Sequence, residues 1–161
     1  MNQQLEEFYE HLDKVVSRLE VIHASRLKCR KGCFSCCVDD ITVFEIEAQN
    51  IKEKNRELLE HGQPAPAGRC AFLDNEGSCR VYDSRPYVCR TQGLPLRWIE
   101  GNTEYRDICP LNDEEHNSLV NLQEQDCFTF EPFEERLALI QIQQTGKEMK
   151  RIRLRDLFEA K

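Results

Sequence analysis

The sequence contains no apolar run approaching the roughly 20 residues needed to cross a bilayer. Its first ten residues, MNQQLEEFYE, lack the basic start and the apolar stretch of a secretory signal. From these absences we expect neither a membrane-spanning nor a classically secreted protein. We therefore expect a cytoplasmic protein, in a compartment that keeps cysteines reduced.

An excess of positive charge is also missing, because 22 Lys and Arg face 29 Asp and Glu and the net charge is −7. General nucleic-acid binders are normally basic, so no nucleic-acid partner is expected. The chain shows no internal repeat and no low-complexity region. It also has no glycine-rich cofactor loop that would support a transferase.

Cysteine, by contrast, is abundant, with nine in 161 residues. The number is odd and the expected compartment is reducing, and both facts argue against a disulfide framework. Four of them, Cys29, Cys33, Cys36 and Cys37, fall within nine residues. Unrelated core thiols would not gather so closely, whereas zinc and iron–sulfur centres both require clustered thiolates.

Further cysteines follow at predicted turns and in a predicted hairpin, and together with the first four they make eight, enough for two four-thiolate centres. Cys127 stands apart and is interpreted as a buried core thiol. The histidines are not needed as ligands, and His11, His23, His61 and His116 are expected at the surface. The predicted metal ligands are Cys29, Cys33, Cys36, Cys37, Cys70, Cys79, Cys89 and Cys109.

The adjacent pair Cys36 and Cys37 needs its own explanation. In an extended chain neighbouring side chains point to opposite faces, and in a helix their directions differ by about 100°. Neither geometry suits joint ligation of one tetrahedral ion. The interpretation is that Cys36 serves one centre and Cys37 another, so that two sites lie back to back and join the first loop to the hairpin.

The hydrophobic spacing predicts helices on both sides of the cysteine-rich part. In the hairpin, CAFL and SCRVY flank the turn DNEG, and Leu73 is expected to pair with Ser78. A capping box is read from Thr42 and Glu45. The predicted elements are a helix over 3–27, a helix over 42–60, a loop over 61–68, a hairpin over 70–82, a strand near 96–99, a weak helix over 113–125, a helix from Pro132 to about Gly146 and an edge strand within 149–155.

These elements predict an α-rich α+β fold: one small metal-stapled domain with a short β-hairpin between helices. The domain spans residues 1–161, with a cysteine-rich core over 29–110 and helical flanks over 1–28 and 111–161. Two arginines near the later cysteines allow two interpretations. Arg85 and Arg90 either pair with Asp83 or backbone carbonyls, or donate hydrogen bonds to metal-bound sulfur.

The segments GCFSCC (32–37) and CAFLDNEGSCRVYDSRPYVCR (70–90), followed by Cys109, resemble the YkgJ-type cysteine-cluster family. This family is described as zinc- or iron-chelating and is named for a CxxCxxCC pattern. The resemblance covers residues 29 to 110, about half the chain. The first gap, from Cys29 to Cys33, has three residues where the family pattern has two, so Cys29 departs from the pattern.

The resemblance implies a metal-chelating domain without a known reaction. We therefore expect a cytoplasmic protein that holds one or two thiolate centres of zinc or iron, with metal ions as its partners and no membrane. An iron–sulfur electron-transfer or redox protein is the alternative. Relatives of the family include a flagellin lysine methylase thought to hold an iron–sulfur centre, so a methyltransferase-like enzyme is a second alternative, although a binding module is favoured over an enzyme.

Overall fold

The computed structural model describes residues 2–113, 119–146 and 149–159. About 45% of the described residues are helical and 13% are in strands, which confirms a mixed α+β class. No helix in these described ranges is long and apolar enough to cross a membrane. The elements are α1 (Gln3–Ile22), β1 (Thr42–Phe44), α2 (Glu45–Lys54), α3 (Arg56–His61), α4 (Tyr87–Arg90), β2 (Leu96–Glu100), β3 (Thr103–Asp107), β4 (Phe128–Thr129), α5 (Glu131–Thr145), β5 (Arg151–Arg153) and α6 (Asp156–Glu159), with short 3-10 turns at Tyr82–Ser84, Pro110–Asn112 and Glu124–Asp126.

Helix α1 forms because apolar side chains recur at helical spacing and share one buried face. It ends at Ile22, earlier than the predicted residue 27, because the chain turns at His23, whose carbonyl accepts the amide of Arg26 at 2.9 Å. The expectation that His23 lies at the surface is wrong. Its ring is buried, and Nε2 lies 2.6 Å from the carbonyl oxygen of Asp126.

The helix predicted over residues 42–60 is interrupted twice. Its first three residues form β1, and α2 begins at Glu45, so the capping box at Thr42 is wrong. The carboxylate that caps the helix belongs to Glu47, whose Oε2 accepts the amide of Phe44 at 3.3 Å. The second interruption is at Asn55, whose Nδ2 donates to the carbonyl of Ile51 at 2.8 Å and so competes with the helix's own bonding.

The chain divides into two compact units. The first unit comprises residues 1–5, 30–86 and 138–161, and the second unit comprises residues 6–29 and 87–137. In the first unit, β1 pairs antiparallel with β5, with Val43 opposite Ile152. This pairing confirms the short strand expected within 149–155. The prediction of a single domain over 1–161 stays a prediction.

In the second unit, β2 lies between β3, which is antiparallel to it, and β4, which is parallel. The strand near 96–99 is confirmed, whereas β3 was not among the predicted elements. Phe128 is completely buried in β4, and its ring centroid lies 4.8 Å from that of Phe133 and 6.5 Å from that of Tyr87. This aromatic cluster anchors the start of α5 and the short helix that carries Cys89.

The helix predicted from Pro132 is confirmed as α5, which is followed by Gly146 at a φ of +75°. The weak helix predicted over 113–125 falls partly on residues 114–118, which lie outside the described residues, as does His116. The described remainder forms a turn and a 3-10 helix. The metal-stapled character of the fold stays a prediction.

Candidate metal centre

Two consecutive tight turns shape the first cysteine cluster. The amide of Cys33 donates to the carbonyl of Arg30 at 2.9 Å, and the amide of Cys37 donates to that of Phe34 at the same distance. Gly32 permits the first turn through a φ of +86°. The backbone is therefore neither extended nor helical at the second turn, and both geometries considered for Cys36 and Cys37 are wrong.

The expected divergence of the Cys36 and Cys37 side chains does not occur, because the Cys37 thiol donates a hydrogen bond to Cys36 Sγ. This bond, opposed by partial burial and assisted by the positive charge of Arg85, lowers the pKa of Cys36 to about 6. Cys36 is therefore mostly a thiolate near neutral pH. The assignment of the two neighbours to separate centres stays a prediction.

In place of the predicted hairpin over 70–82, the structure has one isolated bridge. The register of this bridge differs from the predicted one. Leu73 pairs with Cys79, and not with Ser78. Asp74 determines this register, because its Oδ1 accepts the amides of Glu76 at 2.9 Å and Ser78 at 2.7 Å and so tightens the turn. The prediction overlooked this side-chain turn.

Cys70 and Cys79 nevertheless lie close enough for their charges to interact. Burial raises the pKa of both thiols above the ordinary value. Arg85 reaches Cys79 as well as Cys36, because its charge acts on both sulfurs. The first unit thus holds five of the predicted ligands, which are Cys33, Cys36, Cys37, Cys70 and Cys79.

The first cysteine loop is held against the hairpin by backbone and ring contacts. The amide of Cys70 donates to the carbonyl of Cys37 at 2.9 Å. The Phe34 ring lies so close to Gly77 that an added Cβ there would come within 2.4 Å of it. On the other side, the Arg69 guanidinium lies 4.5 Å from the centre of the Phe34 ring. These contacts position the cysteine loop and the hairpin together.

The side chain of Arg155 also holds the backbone near these cysteines through several hydrogen bonds. Arg155 donates to the carbonyls of Ala65 at 2.9 Å, Pro66 at 3.2 Å and Arg69 at 2.9 Å. It forms a short ion pair with Asp39, which in turn accepts the amide of Gly68 at 2.9 Å. Sequence reasoning missed these contacts, because no local pattern distinguishes Arg155 from the neighbouring basic residues.

The structure shows different contacts for Arg85 and for Arg90. Arg90 pairs with a carboxylate, since its Nη1 lies 2.9 Å from both oxygens of Asp13, and its guanidinium covers the Tyr9 ring. Arg85 stacks over Tyr82 at 3.5 Å and donates to the Tyr82 carbonyl at 3.0 Å. Donation to metal-bound sulfur stays a prediction for Arg85, which lies near two thiols.

The second unit holds the remaining predicted ligands, Cys29, Cys89 and Cys109, together with Cys127. Cys89 lies in α4, and Cys109 precedes the 3-10 turn that Pro110 begins. Cys127 is 5% exposed, and burial raises the pKa of its thiol, which confirms a core thiol. Sequence reasoning missed Asn112, which lies against Cys29 and whose position gives no local signal.

All nine cysteines lie in the described ranges, and none of them forms a disulfide. Within the described ranges, no three or more His, Cys, Asp or Glu side chains are gathered as a ready metal site. The eight-ligand set therefore stays a prediction. The donor chemistry nevertheless fits zinc or iron, because the set is rich in soft sulfur and includes a thiol already ionised near neutral pH.

A family model, described as "CxxCxxCC: Putative zinc- or iron-chelating domain", matches residues 28–110. The match begins at Lys28 and ends at Pro110, so it contains all eight predicted ligands and excludes Cys127. No curated protein and no solved structure gives a significant match to the chain.

Proposed function

This chain belongs to the CxxCxxCC family of zinc- or iron-chelating domains, and on that premise we propose that it holds one or two thiolate metal centres and catalyses no reaction of its own. The metal would be zinc or iron. The proposed ligands are Cys33, Cys36, Cys37, Cys70 and Cys79 in the first unit and Cys29, Cys89 and Cys109 in the second unit.

The observation that carries this proposal is the contact between two cysteine-bearing segments in the first unit. The amide of Cys70 donates to the carbonyl of Cys37 at 2.9 Å, so the backbone brings the segments with Cys36, Cys37, Cys70 and Cys79 together. The positive charge of Arg85 acts on both Cys36 and Cys79. Rotation of the four side chains about χ1 would be needed to direct their sulfurs at one ion.

The electrostatics of this neighbourhood suit thiolate ligation. A metal ligand must be deprotonated, and Cys36 meets this condition near neutral pH without a metal. Cys70 and Cys79 would each release a proton on binding, since burial raises the pKa of both. Zinc bound by such thiolates would close the loop against the hairpin and contribute directly to folding.

We also place the protein in the cytoplasm. The support is the sequence, because an odd number of cysteines argues against a disulfide framework and favours a reducing compartment. Four-thiolate sites of this kind are the common structural form of zinc in proteins.

A cysteine-to-serine series tests the proposal. Each of the eight ligand cysteines is replaced in turn, and the bound zinc and iron are measured after anaerobic purification. We expect each replacement to lower the metal content or the metal affinity. Cys127→Ser is the matched control, since Cys127 is a buried cysteine outside the proposed set, and it should keep the wild-type content. Equal metal content in all nine variants would contradict the proposal.

A further inference from the structure

One buried amide side chain joins the three cysteine-bearing segments of the second unit. Asn112 is 2% exposed. Its Oδ1 accepts the amide of Lys28 at 2.8 Å, next to Cys29, and its Nδ2 donates to the carbonyl of Gly93 at 2.8 Å, four residues after Cys89. Its own amide donates to the carbonyl of Cys109, also at 2.8 Å. All three segments therefore meet at one residue.

The same amide group also contacts a sulfur. Nδ2 of Asn112 lies 3.6 Å from Cys29 Sγ. The orientation of the amide is fixed, because Oδ1 faces an amide N–H and Nδ2 faces a carbonyl oxygen. A flipped amide would place donor against donor and acceptor against acceptor. The group that faces the sulfur is therefore an N–H donor, and it donates a hydrogen bond to Cys29 Sγ.

A glycine also lies against the Cys29 sulfur. A Cβ added to Gly93 would lie 2.4 Å from Cys29 Sγ and 3.3 Å from Asn112 Nδ2. Gly93 also has a φ of +92°, which favours glycine. The sulfur thus lies against a backbone without a side chain and against a fixed hydrogen-bond donor, although Cys29 is exposed as a whole.

We propose that Asn112 is a positioning residue for Cys29: its carboxamide holds the sulfur by an N–H···S hydrogen bond in the orientation that ligates metal, and it holds the Cys89 and Cys109 segments beside it. This inference rests on the proposed function. It assigns a role to a residue outside the matched range 28–110. It also gives a structural reason to retain Cys29, whose spacing departs from the family pattern.

The test uses the full chain loaded anaerobically with cobalt(II), whose thiolate charge-transfer absorption reports each metal–sulfur bond. Asn112→Ala and Asn112→Asp are compared with wild type and with Cys29→Ser. Asn55→Ala is the matched control, because Asn55 Nδ2 also donates two hydrogen bonds of 2.8 Å, to the Ile51 carbonyl and to Ser84 Oγ, neither of which is a cysteine. The aspartate variant keeps the oxygen that accepts the Lys28 amide. If the alanine variant does not fold, the aspartate variant is used for the comparison.

Loss of an outer hydrogen-bond partner typically weakens metal binding about 10- to 100-fold. We expect this loss of cobalt affinity in both Asn112 variants, with the charge-transfer intensity reduced as in Cys29→Ser. In the cobalt-loaded Asn112 variants, iodoacetamide should also alkylate Cys29, which the metal protects in wild type. Asn55→Ala should keep the wild-type affinity and the protection of Cys29.

Wild-type affinity and a protected Cys29 in both Asn112 variants would overturn the inference and leave the proposed function intact. An Asn55→Ala variant that loses as much affinity as Asn112→Ala would also overturn it, since the effect would then be general destabilisation. A wild-type chain that binds no cobalt would overturn the proposed function itself, and the inference with it.

Discussion

The amide of Cys70 donates a hydrogen bond of 2.9 Å to the carbonyl oxygen of Cys37. This bond joins the last cysteine of the first cluster to the first cysteine of the next cysteine-bearing segment, although 33 positions separate them in the sequence. The backbone therefore brings the two sulfur-bearing segments of the first unit together. Under the proposed function, bound metal would add a second link between segments that this hydrogen bond already joins.

The contact between these two segments should nevertheless depend on bound metal for its thermal stability. Structural zinc can supply on the order of 10 kcal/mol, which is comparable to the whole stability of a domain. Adding a strong chelator to metal-loaded protein should therefore lower the melting temperature steeply, and restoring zinc or iron should recover it. A chelated, metal-free protein that melts at the same temperature would show that metal is peripheral to folding.

Replacing Gly77 by Ala should disturb the first cysteine loop. The added Cβ would meet the Phe34 ring at 2.4 Å, and Gly77 has a φ of +79°, so we expect a loss of about 2–3 kcal/mol in the free energy of unfolding. Gly68→Ala is the control, because Gly68 has a φ of +87° but nothing within 4 Å of an added Cβ. It should lose only the cost of the left-handed backbone, roughly 1–2 kcal/mol. Urea unfolding of both variants measures the difference, and equal losses would show that the Phe34 contact is unimportant.

Arg155→Ala should destabilise the first unit more than a change at the neighbouring strand arginine. The side chain of Arg155 is 17% exposed and holds three carbonyls and the Asp39 carboxylate. Hydrogen bonds to charged groups contribute about 1.5–3 kcal/mol, so we expect a loss of about that size. Arg153→Ala, which removes an exposed i,i+3 pair with Asp156, should change the free energy of unfolding by less than about 1 kcal/mol. If thermal or urea unfolding ranks the two variants in the opposite order, the stabilising role of the Arg155 hydrogen bonds is contradicted.

The contacts of Arg155 also show what the sequence alone could not reveal. The hydrophobic spacing of α1 and the Pro132–Gly146 boundaries of α5 were predictable, because both signals are local. The partners of Arg155 and Asn112 were not predictable, since their bonds join residues up to 116 positions apart in the chain. The prediction of the hairpin register was wrong for a different reason. The register depends on the hydrogen bonds that the Asp74 carboxylate accepts within the turn, and the pattern of apolar residues does not report them.

The candidate site was predictable to a similar extent. The bunching of thiols identified the ligand class, and burial confirmed Cys127 as a core residue. The contact between Cys36 and Cys37 was not predictable, because it depends on a tight turn at Phe34–Cys37 that neither regular backbone geometry includes. Tight turns of this kind place neighbouring side chains in directions that the periods of helix and strand do not describe.

Glu104→Gln should reduce the acid sensitivity of the second unit. Arg106 and Arg97 lower the pKa of Glu104 below its ordinary value of 4.5, through hydrogen bonds from their Nε atoms at 2.6 Å and 2.9 Å. Because the folded-state pKa is depressed, this contribution to stability is present above pH 4.5 and is lost as the pH falls through the lower folded-state value. Thermal unfolding between pH 6 and pH 3 should show a smaller decline in the variant than in wild type. Parallel declines in the two proteins would show that the Glu104 pair contributes nothing to the pH dependence.

Elemental analysis of freshly and anaerobically purified wild-type protein tests the central claim most directly. The account predicts zinc or iron at one or two centres per chain. A visible spectrum and acid-labile sulfide in the same sample would identify iron–sulfur clusters, and a colourless sample would identify zinc. A reduced, folded protein that contains neither metal and takes up neither on addition would contradict the account.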